Sequence, residues 1–145
     1  MMCTNCEEVH WRLVDLGVDH ACGLVCLLRV IGGRIGIIAL PSVMDVMVSN
    51  DTERVKNALG GSVVVERSLV PNLSSRAILI GSAPYASLED LIVSVVVNEQ
   101  LTWYVELVRE LLSIGNVREG LRWGWINEVL DRYGVKRKFL SLISP

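Results

Sequence analysis

The apolar segments of this chain are all short. The longest lie around Gly36–Met44 and Leu91–Val97, and no window of the roughly 18 residues a membrane helix needs lacks both charges and chain breakers. Mean hydropathy is nevertheless +0.43, and 51% of the 145 residues are hydrophobic. A chain built this way must stack many short apolar elements into a shared core, and a disordered tail is excluded. Charge points the same way. Fourteen Lys and Arg against 16 Asp and Glu give a formal charge of −2 and a pI near 5.7, which is unlike a freestanding nucleic-acid binder. Met1–His20 carries Glu7, Glu8, Arg12, Asp15 and Asp19 where the apolar region of a signal peptide would sit. The expectation is a soluble cytoplasmic protein with no membrane partner, its surplus apolar surface hidden in a subunit interface.

Periodicity and breakers predict the elements. Glu7–Leu16 places Val9, Leu13 and Leu16 at helical spacing, with Trp11 and Val14 widening the stripe and Gly17 as a stop. Leu24–Val30 and Arg34–Leu40 are β-rich runs joined by Gly32-Gly33, which predicts a hairpin closed by Pro41. Ser42–Val48 is ambiguous. Thr52–Leu59, with Asn50-Asp51 before it and Gly60-Gly61 behind, predicts a short helix. Strands are predicted at Ser62–Val70, Arg76–Gly81 and Leu91–Val97, with a turn at 71–75 and a loop at 82–87. Thr102–Ile114 sets Tyr104, Leu107, Val108, Leu111 and Leu112 against Glu106, Arg109 and Glu110, a clear amphipathic helix. Leu121–Ile126 then reads as a strand, Asn127–Gly134 as a loop and Val135–Ile143 as a last strand. The order gives an α+β fold of small mixed sheets with flanking helices. Residues 1–60 are expected to form an N-terminal lobe and 61–145 a C-terminal domain.

Chemical motifs are sparse. Cys3, Cys6, Cys22 and Cys26 fall with His10 and His20 in the first 26 residues. A C-x2-C followed by C-x3-C invites zinc, with Cys3 and Cys6 as its weak candidates, but Cys26 in a packed strand would not face a metal. The alternative is two exposed terminal thiols and two buried ones, with no metal and no cofactor. Gly32-Gly33-Arg34-Ile35-Gly36 lacks both a dinucleotide fingerprint and a P-loop Lys, and no G-x-S-x-G elbow exists. Trp103, Trp123 and Trp125 could stack RNA bases, although apolar neighbours favour packing. Lys136-Arg137-Lys138 reads as a solvated strand start that could also touch a phosphate.

The second half carries a resemblance. Ala77–Gly81, a loop, Leu91–Val96, then Leu101-Thr102-Trp103-Tyr104-Val105-Glu106-Leu107 and Asn116-Val117-Arg118-Glu119-Gly120-Leu121 resemble the C-terminal domain of archaeal tRNA-splicing endonucleases. The match runs from about Ser62 to the C-terminus. It implies a restriction-endonuclease-like C-terminal lobe. That family uses a Tyr, a His and a Lys for acid–base transesterification, with a cation for the phosphorane charge. At the corresponding positions this chain has Gly81, Leu88 and Glu119. Glycine and leucine move no protons, and a carboxylate repels the charge a lysine would stabilise.

The resemblance therefore implies a non-catalytic, structural subunit of the heteromeric enzyme. Its partner would be a catalytic chain, in a dimer of heterodimers that cuts precursor tRNA at bulge-helix-bulge motifs. Glu128 and Asp131 fall where family members carry an acidic docking loop, an ordinary solvated turn being the alternative. Phe139, Leu140, Leu142 and Ile143 form an apolar terminal strand that another chain would have to cover. Two rival readings remain, a zinc-dependent interaction module and a self-associating scaffold without an RNA connection.

Overall fold

A computed structural model describes residues 4–36, 43–61, 63–97 and 102–143, with the side chains of 4–6, 35, 102 and 103 outside the description. The first half runs α1 (Thr4–Leu16), β1 (His20–Cys22), α2 (Leu24–Ile35), β2 (Met44–Val48) and α3 (Thr52–Leu59). The second half continues with β3 (Val63–Arg67), α4 (Leu73–Arg76), β4 (Ile78–Ile80), β5 (Ala83–Tyr85), α5 (Leu88–Ser94), α6 (Thr102–Leu112), α7 (Gly115–Glu119), α8 (Trp123–Arg132) and α9 (Lys136–Ile143). The fold is α+β, around one mixed sheet in the order β3-β2-β1-β5-β4. β2 and β3 are parallel, β1 and β5 are parallel, and β1/β2 and β4/β5 are antiparallel.

Strand alternation divides the core between the two faces of the sheet. Val46, Val48, Val63 and Val65 turn toward Val9, Leu13 and Leu16 of α1 and Val55 and Leu59 of α3. Met47 of β2 belongs instead to the larger cluster, with α2, α5, α6, α8 and α9. The expected boundary after residue 60 falls between α3 and β3. These two elements form a β2-α3-β3 unit with a five-residue parallel register, Met44↔Val63 to Val48↔Arg67, so the two expected lobes share one sheet.

The helices at 52–59 and 102–112 and the strands at 63–67 and 78–80 lie where the sequence puts them. Four predicted strands do not form. Leu24–Val30, expected in a hairpin, lies in α2, which carries Gly32 and Gly33 inside it and ends at Gly36 in the left-handed region (φ 86°). Residues 37–40 of that hairpin and Pro41 lie outside the described residues. Leu91–Val97, read as a strand buried on both faces, begins within α5. A helix buried on every side shows the same unbroken apolar run as a central strand. Leu121–Ile126 and the loop Asn127–Gly134 are largely α8, with Ile126, Val129 and Leu130 buried at helical spacing. Val135–Ile143 is mostly α9. Phe139 is buried there, while Leu142 and Ile143 pack against the core.

Three smaller expectations also change. The 82–87 loop contains β5, and the 71–75 turn opens α4. Trp11 and Val14, expected on the apolar stripe of α1, are 56% and 45% exposed, because the face of α1 that packs toward the sheet is that of Val9, Leu13 and Leu16.

Candidate functional site

Two polar features are built into the fold. The first sits at the head of α2. Asp45, on β2, accepts hydrogen bonds from the Val25 and Cys26 N–H groups at 3.1 and 3.2 Å, so a residue 20 positions away satisfies the helix's first donors. Beside it Glu66 of β3 is fully buried, and neither Oε has a hydrogen-bond donor among the described residues. A Cβ at Gly23 would overlap the Asp45 carboxyl and lie 2.8 Å from Glu66 Oε1; the two acids therefore converge on one point. Burial pushes the Glu66 carboxyl well above the usual range, and the neighbouring Asp45 reinforces this. A neutral Glu66 can donate its proton to Asp45. Tyr104 of α6 lies within the same field. Burial first, then the Glu66 charge, pushes its phenol up, while its hydroxyl donates to the Leu91 carbonyl at 2.9 Å.

The second feature is an open cleft of about 370 Å³ among β4, α5, α7 and the start of α8, lined by Ile78, Leu88, Val117 and Leu121 with Arg76, Glu89 and Arg122. Its charges are engaged. Arg76 grips fully buried Asp90 through Nε and Nη2, both at 2.9 Å, donates to Pro71 and Val70 carbonyls, and lies 5.3 Å from the centre of the Trp125 ring. Ser87 caps α5 by accepting from the Asp90 N–H and donating Oγ–H to its carboxylate at 2.7 Å. Glu89 accepts from the Arg122 N–H at 2.9 Å. The cleft thus offers an apolar pocket with a fixed polar rim.

The cleft adjoins the edge of the sheet. β4 is the outermost strand on that side, with Leu79 74% and Ile78 40% exposed. Leu79 sits opposite Pro84, which has no N–H, so this pair is the non-hydrogen-bonded one of the antiparallel ladder. The Leu79 N–H and C=O consequently point away from β5, toward the free edge.

The residues singled out in the sequence are scattered. Gly81 turns the β4–β5 hairpin at φ 65°. Leu88 opens α5 and lines the cleft, whereas Glu119 is exposed at the end of α7. Gly81 and Glu119 do not line the cleft with Leu88. Glu128 and Asp131 are not in a loop but exposed on α8, where Glu128 pairs with Arg132 at 3.4 Å. Phe139, Leu142 and Ile143 face the core, and of the expected terminal interface only Leu140 stands out, 50% exposed. Lys136–Lys138 begin α9 rather than a strand. Trp123 packs with Arg118, its Nε1–H donating to the Arg118 carbonyl at 2.8 Å.

Cys3 lies outside the described residues and the Cys6 side chain outside the description. Cys22 and Cys26 are buried and free of disulfides, Cys26 on a helix rather than a strand. No group of three or more His, Cys, Asp or Glu among the described residues is arranged to hold a metal ion. Sequence reasoning missed Asp45, Glu66 and the Ser87–Asp90 cap. Ser87-Leu88-Glu89-Asp90 ahead of an apolar run is a capping signature; nothing local marks the other two.

No protein-family model, no curated protein and no solved structure matches the chain. No helix among the described residues is long and apolar enough to cross a membrane.

Proposed function

We propose that this chain is a non-catalytic assembly subunit that takes a partner's extended segment as a sixth strand along β4. The observation that carries the reading is the open, apolar β4 edge, with the outward backbone groups of Leu79. Such edges template strand addition unless charge, proline or a covering element blunts them. The cleft beside Ile78 suits this use, since alternate side chains of an added strand enter pockets on one face while the backbone provides the affinity.

The finer reading is the one the resemblance suggests, the structural subunit of a cytoplasmic heteromeric tRNA-splicing endonuclease. The partner would then be the catalytic chain, which brings the triad to precursor tRNA. Support comes from the Trp-Tyr-x-Glu-Leu and Val-Arg-Glu-Gly-Leu sequences and from Gly81, Leu88 and Glu119 in place of acid–base residues. The strands expected at 91–97, 121–126 and 135–143 add nothing to it, because those segments are largely helical.

Co-expression with a triad-bearing endonuclease chain tests both levels. The reading expects a stable complex that cleaves a bulge-helix-bulge RNA and is lost with Leu79→Lys, which puts a charge on the edge at little cost to the fold. Self-association sensitive to Leu79→Lys, without any capture of the endonuclease chain, would retire the splicing reading and keep the edge. An intact complex with Leu79→Lys would remove the edge from the interface.

A further inference from the structure

We infer that the contact between His10 and His20 is an acid-sensitive latch, which holds α1 on the sheet at neutral pH and releases it when the pair takes up a second proton. His10 lies on α1 and His20 on β1, yet His10 Nδ1 and His20 Nε2 are 2.7 Å apart, with ring centroids 4.9 Å apart. Two imidazole nitrogens this close must share one hydrogen between them. The contact therefore survives in some protonation states and not in others.

The direction of the bond follows from the other nitrogen of His20. Its Nδ1 is 2.8 Å from the Val18 carbonyl, which can only accept, so Nδ1 carries a hydrogen. With His20 neutral, its Nε2 lone pair faces His10, whose Nδ1–H donates into it. A first proton, on the far nitrogen of His10, leaves this bond in place. A second has only the His20 Nε2 lone pair left to it. Two N–H groups would then point at one another, with a cation on a ring that is 5% exposed. Burial holds the His20 imidazole below its ordinary range; the His10 charge adds to this, while the Val18 bond and Asp19 oppose it. The released form thus binds the proton better, so docking of α1 is fully present above the ordinary histidine range and is lost as pH falls from there toward the docked-state value.

The charged neighbours are engaged elsewhere. Asp19 accepts from the Leu73 and Ser74 N–H groups and from Ser49 Oγ. Glu7 of α1 accepts from Ser82 Oγ at the β4–β5 turn, and Arg76 of α4, which packs on β1, holds Asp90. β2 sets Val48 opposite His20, and its Asp45 is bound to the head of α2; β1 and β5 add the buried Cys22 thiol and Tyr85 phenol. The other polar ties of α1 are Glu7 to Ser82 and Arg12 Nη2 to the Ala58 carbonyl at 2.5 Å. Histidine is the side chain whose charge changes across about pH 5–8, so acid undoes the histidine tie. Release uncovers the apolar face that Val46, Val48, Val63 and Val65 turn toward α1.

The test is amide hydrogen exchange of the full chain at about pH 7.5 and 5.5, corrected for intrinsic rates. Asp19, held below the ordinary carboxylate range, keeps its charge at both. Peptides from α1 should lose protection roughly 10-fold at the lower pH, the effect of one unit of pKa difference, while those from α2 and α6 keep theirs. His20→Gln, whose amide can donate to Val18 and accept from His10 without charging, should hold α1 at both pH values. His10→Ala, at a half-buried position, lets a protonated Nε2 face water and should shrink the acid loss even if His20→Gln fails to fold. Unchanged protection of α1 between the two pH values, an equal loss throughout the chain, or a loss that His10→Ala or a folded His20→Gln leaves undiminished would overturn the latch.

Discussion

Gly23 shows how little room single residues have here. Its position between β1 and α2 is crowded by the Asp45 and Glu66 carboxyls, so Gly23→Ala must push apart a buried acid pair. A loss of about 1–3 kcal/mol, the usual cost of overpacking, is expected in urea unfolding. Glu66 makes a separate prediction. Its folded-state pKa is raised above the unfolded value, so the folded state holds the extra proton. Stability is then fully present below the ordinary glutamate range and declines as pH rises through the folded-state value. Asp45 on β2 and Tyr104 on α6 share this field, and Asp90 on α5 acts on Tyr104 as well. The slope should approach about 1.4 kcal/mol per pH unit where one proton separates the two states. Glu66→Gln, which stays neutral and can donate to Asp45, should flatten the decline, and an unchanged pH profile for that variant would refute the shared proton. Asp19 runs the other way. Burial raises its carboxyl, but the donors from Leu73, Ser74 and Ser49 outweigh this and hold it below the ordinary range.

At the scale of elements, α9 decides between two pictures of the C-terminus. A strand would place Phe139, Ser141 and Ile143 on one face; the helix places Phe139, Leu142 and Ile143 there and turns Leu140 outward. Arg109 of α6 fastens the end by donating to the Leu142 carbonyl at 2.8 Å. Phe139→Ala should therefore cost about 3–5 kcal/mol, whereas Leu140→Lys should stay within about 0.5 kcal/mol of the parent. Thermal unfolding of the two variants distinguishes the pictures, and equal losses would argue against the helix. The same logic explains α5, whose start is set by the reciprocal Ser87–Asp90 cap and the pairing of Arg76 with buried Asp90.

For the whole molecule the decisive fact is that one sheet uses strands from both sides of residue 60. β1 contacts β2 on one side and β5 on the other, and β2 continues into β3. Fragments 1–60 and 61–145 would each leave long apolar faces and unpaired ladder groups in water. Neither fragment should fold alone, and mixing them should restore structure. A dispersed NMR spectrum from 61–145 by itself would reinstate a two-lobe division.

The sequence alone was enough for α1 and α6, because each has a two-sided pattern of apolar and polar residues that only one period fits, and for α3, which Asn50-Asp51 and Gly60-Gly61 frame. It was also enough for the α+β class and for the burial of Cys22 and Cys26. It could not decide α2 or α5, since a segment such as Leu91–Val96, buried all round, carries no periodicity to read. The polar features lay further from local reach. Asp45 and Glu66 meet through the parallel β2/β3 register, His10 meets His20 where α1 packs on β1, and the edge at Leu79 is open because β4 is last in the sheet. Each of these depends on which strands neighbour one another, a choice made by the packing of the whole chain and invisible to any window of residues along it.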